Sequence, residues 1–178
     1  MSGDLSDQIL IGSARERGVA RFRRWGLIAV PLAAILFQIY VPRFFPVLAY
    51  LEFPLLVTVY FALMRRSQIA GIFIGAGIGL VQDSLSHQPI GMFGVIKTLV
   101  GYFAASVGMR FDVDHVLIRF VLALFFFIFH EFFYWVLARA LLGQQLVFDI
   151  QQTVIVGLLN AVVGISLYHF LDKLKERS

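Results

Sequence analysis

Apolar segments, each close to the ~20 residues needed to cross a hydrocarbon core, follow one another along almost the whole chain, and each is ended by a proline, a charged pair or a polar turn. This one feature predicts an all-α polytopic membrane domain. Composition agrees: 60% of the 178 residues are hydrophobic, mean hydropathy is +0.84, and Asp, Glu, Lys and Arg make up 15%, where a soluble domain averages roughly a quarter. No length is left over for a soluble enzyme domain.

Six spans can be drawn: Trp25 to Tyr40, Leu48 to Met64, Ile69 to Leu85, Gly91 to Met109, Val116 to Leu142 and Ile150 to Leu171. Pro42 and Pro46, Arg65-Arg66, Ser86 to Pro89, Asp112 to His115 and Gly143 to Gln145 separate them. The chain then divides into a basic segment 1–24, a transmembrane domain 25–171 and a basic tail 172–178. Alternation sorts twelve basic residues to one side (Arg15, Arg17, Arg21, Arg23, Arg24, Arg65, Arg66, Arg110, Arg119, Lys173, Lys175, Arg177) and two, Arg43 and Arg139, to the other. That bias predicts cytoplasmic termini. The first 24 residues are like a signal-peptide n-region, but the apolar segment after them is too long and ends at Pro42-Arg43 without a small-residue cleavage site, so an uncleaved first span is expected. The Arg15 to Arg24 cluster is read as a plain topogenic anchor, with binding of a cytoplasmic partner or of anionic lipid as the alternative. With the basic residues spaced between apolar segments, nucleic acid is not an expected partner. The absence of cysteine removes disulfides, thiolate metal sites and cysteine nucleophiles.

Within the third span Gly71, Gly75, Gly79 and Asp83 recur every fourth residue and share one helical face. Glycine in a bilayer lets another backbone come close, and an intramembrane carboxylate demands a partner. Asp83 lies roughly one turn, ~6 Å, from the outer end of its span, and Lys97 lies ~9 Å down the antiparallel fourth span, so an Asp83–Lys97 ion pair is expected. The fourth span has small residues of its own at Gly94, Thr98, Gly101, Ala105 and Gly108, which predicts a close hairpin turning through Ser86, His87, Gln88 and Pro89. Gly91 follows where a close backbone approach or an unusual dihedral favours glycine.

The fifth span carries His130 and Glu131 near its middle, and the sixth carries Asn160. A hydrogen bond from His130 to Tyr134 along one face is expected, with Glu131 about 100° away, toward Trp135 and Asn160, in a satisfied interhelical network. Glu52, near Arg43 and just before Pro54, shares the outer depth of Asp83 and Lys97, and the three together line a polar outward cavity or a docking groove. Enzyme chemistry is disfavoured. Asp83 and Glu131 sit at different depths, unlike a protease dyad. Ser84 and Ser86 lack an ordered base apart from nearby His87, and no phosphate-cradling loop precedes a lysine. No second histidine lies at ligand spacing from His87, so neither a metal nor a cofactor is expected.

The spacing Gly75-x3-Gly79-x3-Asp83-x7-Gly91 resembles the central signature of the MreD family of rod shape-determining membrane proteins. Leu36-Phe37-Gln38, Pro54, Arg65-Arg66, Asn160 and the basic tail fall where that family has similar features, so the resemblance covers essentially all spans. One departure stands out: the family often has Asp or Asn directly after the second-span proline, whereas here Leu55 follows and Glu52 precedes. The resemblance implies a non-catalytic subunit of the bacterial inner membrane within the cell-elongation machinery. Its partners would be an MreC-like single-pass protein docking on the Gly71–Asp83 face, RodA and penicillin-binding-protein synthases, and the MreB cytoskeleton. It also implies likeness to the six-helix substrate-binding subunits of energy-coupling-factor transporters, and hence an alternative role in vitamin or small-solute transport.

Overall fold

The computed structural model describes residues 25–86, 89 and 91–175. The expected basic segment 1–24 with its five arginines, the turn residues His87 and Gln88, and Arg177 in the tail lie outside them. Six helices follow in order: α1 (Gly26–Tyr40), α2 (Phe53–Arg65), α3 (Gln68–Leu85), α4 (Met92–Arg110), α5 (Val116–Leu142) and α6 (Ile150–Asp172). Counting the 3₁₀ turns that extend α1 to Arg43 and precede α2 from Pro46, all six segments are long and apolar enough to cross a membrane. Their boundaries match the sequence-based spans closely, with one exception.

The exception is the second span. Its α-helix starts at Phe53, not Leu48, and Pro46–Tyr50 forms a 3₁₀ turn instead. Proline explains the break: Pro54 has no N–H and its ring would collide with the carbonyl four residues earlier, so a helix cannot run through Tyr50 into α2. Backbone groups freed by this irregular stretch must be satisfied inside the protein, since lipid offers no hydrogen bonds. Two side chains do so. Asn160 on α6 accepts from the Glu52 N–H at 2.8 Å and donates to the Tyr50 carbonyl at 2.8 Å, while Gln38 on α1 accepts from the Phe53 N–H at 3.3 Å.

α2 is the axis of the bundle. Every residue from Pro54 to Met64 is buried, and α1, α3, α4, α5 and α6 all contact it. A helix that is apolar all round is a buried helix in water; here every span is apolar all round, and α2 is the one enclosed by protein. The others turn Ile28, Phe73, Leu117, Val121 and Ile155 outward, as a lipid-facing surface requires. At the far end of the axis Arg66 takes a left-handed conformation (φ 49°) and Ser67 caps α3 through the Ala70 N–H. This tight turn sends α3 back along the bundle.

Candidate functional site

α3 and α4 form the closest helix pair in the molecule. A methyl group on Gly71, Gly75 or Gly79 would overlap the backbone carbonyls of Gly101, Lys97 and Phe93 on α4, respectively. The α4 side is matched: Gly101 faces the Gly71 carbonyl, Gly94 faces Leu80, and Gly108 meets the Leu63 carbonyl on α2. The glycine face of α3 is therefore filled by the chain's own next helix, which leaves no room there for a helix from a partner. Gly77, on the opposite side of α3, has open space around it.

Asp83 closes the end of this seam. Its carboxylate accepts from the N–H groups of Gly91 (3.0 Å), Phe93 (3.0 Å) and Gly94 (2.9 Å). Those are donors that the first turn of a helix cannot pair within itself, so Asp83 caps α4 from α3 and sits at the positive end of its dipole. Gly91 contributes through its dihedral (φ 98°), not through close contact. The expected Asp83–Lys97 ion pair does not form, because backbone donors occupy the carboxylate. Asp83 and Lys97 are both buried all the same.

Lys97 points instead toward α2 and α5. Its Nζ lies 4.0 Å from Glu52 Oε2, 3.5 Å from His130 Nε2 and 4.5 Å from the centre of the Phe93 ring. His130 Nδ1 is 3.3 Å from Glu131 Oε1. With Lys97 as an ammonium, which only donates, Nε2 is assigned as the acceptor and Nδ1–H as the donor to the Glu131 carboxylate. Glu52, Lys97, His130 and Glu131 thus form a linear chain with a carboxylate at each end. His130 and Tyr134 do not hydrogen-bond to each other; both rings stack on Phe93, at 5.9 Å and 5.7 Å. Asn160 is engaged with residues 50 and 52 and not with Glu131, and Arg43 lies over the Tyr40 ring, away from Glu52.

A cavity of about 320 Å³ opens beside this chain, at the end of the bundle where the α1–α2 and α5–α6 connections lie. Glu52, Glu131, Tyr134, Trp135, Phe148 and Asp149 are among its walls; Asp83 is not. Trp135 Nε1–H donates to the Leu146 carbonyl at 2.9 Å and its ring packs on Phe148, which holds the α5–α6 connection across the cavity. Asp149 caps α6 through the Gln152 N–H. A second, apolar concavity of about 410 Å³ runs along the lipid-facing side between α1 and α3, past Leu27, Pro31, Phe73, Gly77 and Val81.

A family model described as rod shape-determining protein MreD matches residues 20–177, nearly the whole chain. The chain belongs to the MreD family. It is accordingly a rod shape-determining, multi-pass protein of the bacterial inner membrane, in a family of shape-determining structural membrane proteins. No curated protein and no solved structure matches it. In this MreD-family chain the hydroxyls of Ser84 and Ser86 donate to the carbonyls of Leu80 and Gln82, and Asp83 and Glu131 belong to separate networks.

Some residues that organise this MreD-family fold carry no pattern in the sequence. Arg119 donates to the Val113 carbonyl and pairs with Asp172 and Asp114, while Asp172 also meets Lys175 and accepts from the Tyr60 hydroxyl. This cluster ties α2, α5 and α6 together at the end away from the cavity. Alternation of the spans puts Arg119 and Asp172 at one end, and that was the available clue. Gln38 carries only a family-like sequence context, and its hydrogen bond to α2 depends on the three-dimensional fold.

Proposed function

We propose that this chain is a non-catalytic scaffold of the cell-elongation complex, with both termini cytoplasmic, holding an MreC-like single-pass protein beside RodA and penicillin-binding-protein synthases and facing MreB and anionic lipid with its basic side. The family match across the whole bundle carries this reading. Orientation rests on the twelve-to-two distribution of Lys and Arg. Because α4 fills the glycine face of α3, a partner helix has to be received elsewhere, and we assign it to the apolar groove between α1 and α3. Gly77 lies open in that groove and Ile28 and Phe73 flank it, exposed at membrane depth. Close approach at an uncovered glycine is how membrane helices associate without a hydrophobic driving force.

The test uses two substitutions. Gly77→Trp projects a ring into the groove from a position where an added Cβ meets nothing within 4 Å, so the protein should insert and fold yet lose its single-pass partner in co-purification. A cysteine at the same position should crosslink to the partner's membrane helix, cleanly, since the chain has no cysteine of its own. Undiminished co-purification of the Gly77→Trp variant would remove the groove as the docking face, and normal cell shape after depletion would remove the scaffold role. The polar cavity favours a second reading, small-solute binding in transport; a small molecule retained through purification, with rod shape intact after depletion, would select it.

A further inference from the structure

The cavity has a charge it does not balance. Two carboxylates, Glu52 and Glu131, stand in its wall, and the one ammonium of the chain behind them, Lys97, is completely buried. Lys97 lies 4.0 Å from Glu52 and reaches Glu131 only through the His130 ring. Glu52 Oε2 is shut off from solvent and has no hydrogen-bond donor among the described residues. The third carboxylate, Asp149, gives one oxygen to the α6 cap. Around the carboxylates are the rings of Tyr50, Tyr134, Trp135 and Phe148. Arg139 stands over the Trp135 indole at 5.6 Å but is itself exposed and does not line the cavity.

We propose that this cavity binds an organic ammonium group carried on a compact apolar or amphipathic body. Its volume of about 320 Å³ suits such a ligand, small-molecule sites beginning at ~300 Å³. Carboxylates supply the counter-charge in a site partly withdrawn from water, and aromatic faces attract a cation through their quadrupoles. An anionic ligand is excluded by the same walls, since the buried ammonium sits behind the carboxylates and not in the lining. The ammonium could be that of a free amine or of an aminophospholipid headgroup, as the cavity opens at the end of the bundle where the α1–α2 and α5–α6 connections lie. The inference rests on the cavity alone and holds under either reading of the protein's role.

The full chain in phosphatidylglycerol nanodiscs, titrated calorimetrically with phenethylammonium and with the uncharged 2-phenylethanol, tests it. Saturable binding of the amine alone is expected, weakened roughly tenfold by Glu131→Gln and abolished by Ala49→Trp, which puts a large ring on an exposed residue of the cavity wall and leaves both carboxylates in the sequence. The second variant keeps the test decisive if the first disturbs folding. No saturable binding of the amine, equal binding of the alcohol, or binding indifferent to both variants would overturn the assignment. Repeating the titration with phosphatidylethanolamine in the disc separates the sources: weaker amine binding identifies the lipid headgroup as occupant, and unchanged binding identifies a soluble amine.

Discussion

Asp83 shows how a charged residue in a membrane span can serve the backbone and not another charge. Its position and the nearby lysine suggested an ion pair, which is what two opposite charges on antiparallel neighbours ordinarily suggest. The backbone donors of α4 were invisible to that reasoning because their direction depends on where the helix begins, and the helix begins one residue after a glycine with φ of 98°. The two models give different mutational outcomes. Asp83→Ala should lower stability by about 2 kcal/mol, the scale for a lost helix cap with charged hydrogen bonds, and Asp83→Asn should lower it less, because the amide oxygen can still accept from Gly91 and Gly94 while its NH2 faces the Phe93 N–H. Exchange of the charges, Asp83→Lys with Lys97→Asp, should do no better than either single change. Unfolding of the purified protein in mixed micelles measures all of these, and a clear rescue by the exchanged pair would restore the ion-pair view.

At the scale of helices, glycines two residues apart on α3 have opposite roles. Gly75 lies against the Lys97 carbonyl, whereas Gly77 has nothing within 4 Å. Gly75→Ala should therefore cost about 1–3 kcal/mol by forcing α3 and α4 apart, and Gly77→Ala should stay within about 0.5 kcal/mol of the parent, as a surface change does. Equal melting temperatures for the two variants would contradict the seam. The fourfold spacing in the sequence identified the packed face, because Gly71, Gly75 and Gly79 share it and Gly77 does not. It did not identify the neighbour: a stripe of small residues says that a backbone approaches, and either α4 or another protein would have satisfied it. Likewise Pro54 marked the start of α2, while the length of the 3₁₀ stretch before it depended on Asn160, 108 residues further along the chain from Glu52.

For the whole molecule, the number of spans and their boundaries were legible because hydropathy in a bilayer sets length directly. Which span lies at the centre was not. α2 and the peripheral helices have much the same apolar character, since lipid and protein interior reward the same side chains, and only the packed structure shows α2 enclosed. The proposed orientation makes a separate prediction: single cysteines replacing Phe45 or Leu146 should react with an impermeant thiol reagent in spheroplasts, and cysteines replacing Asp112 or Leu174 only after permeabilisation. The reverse pattern would invert the topology. Order of synthesis gives Asp83 and Lys97 different histories. All three donors to Asp83 lie within eleven residues downstream, so its charge is satisfied once α4 has begun, and α3 with α4 can leave the translocon as one finished hairpin. Lys97 has Glu52 already made behind it but must wait 33 residues for His130. The polar chain beside the cavity is therefore completed only by the arrival of α5, which makes that pocket a late product of biogenesis and the hairpin an early one.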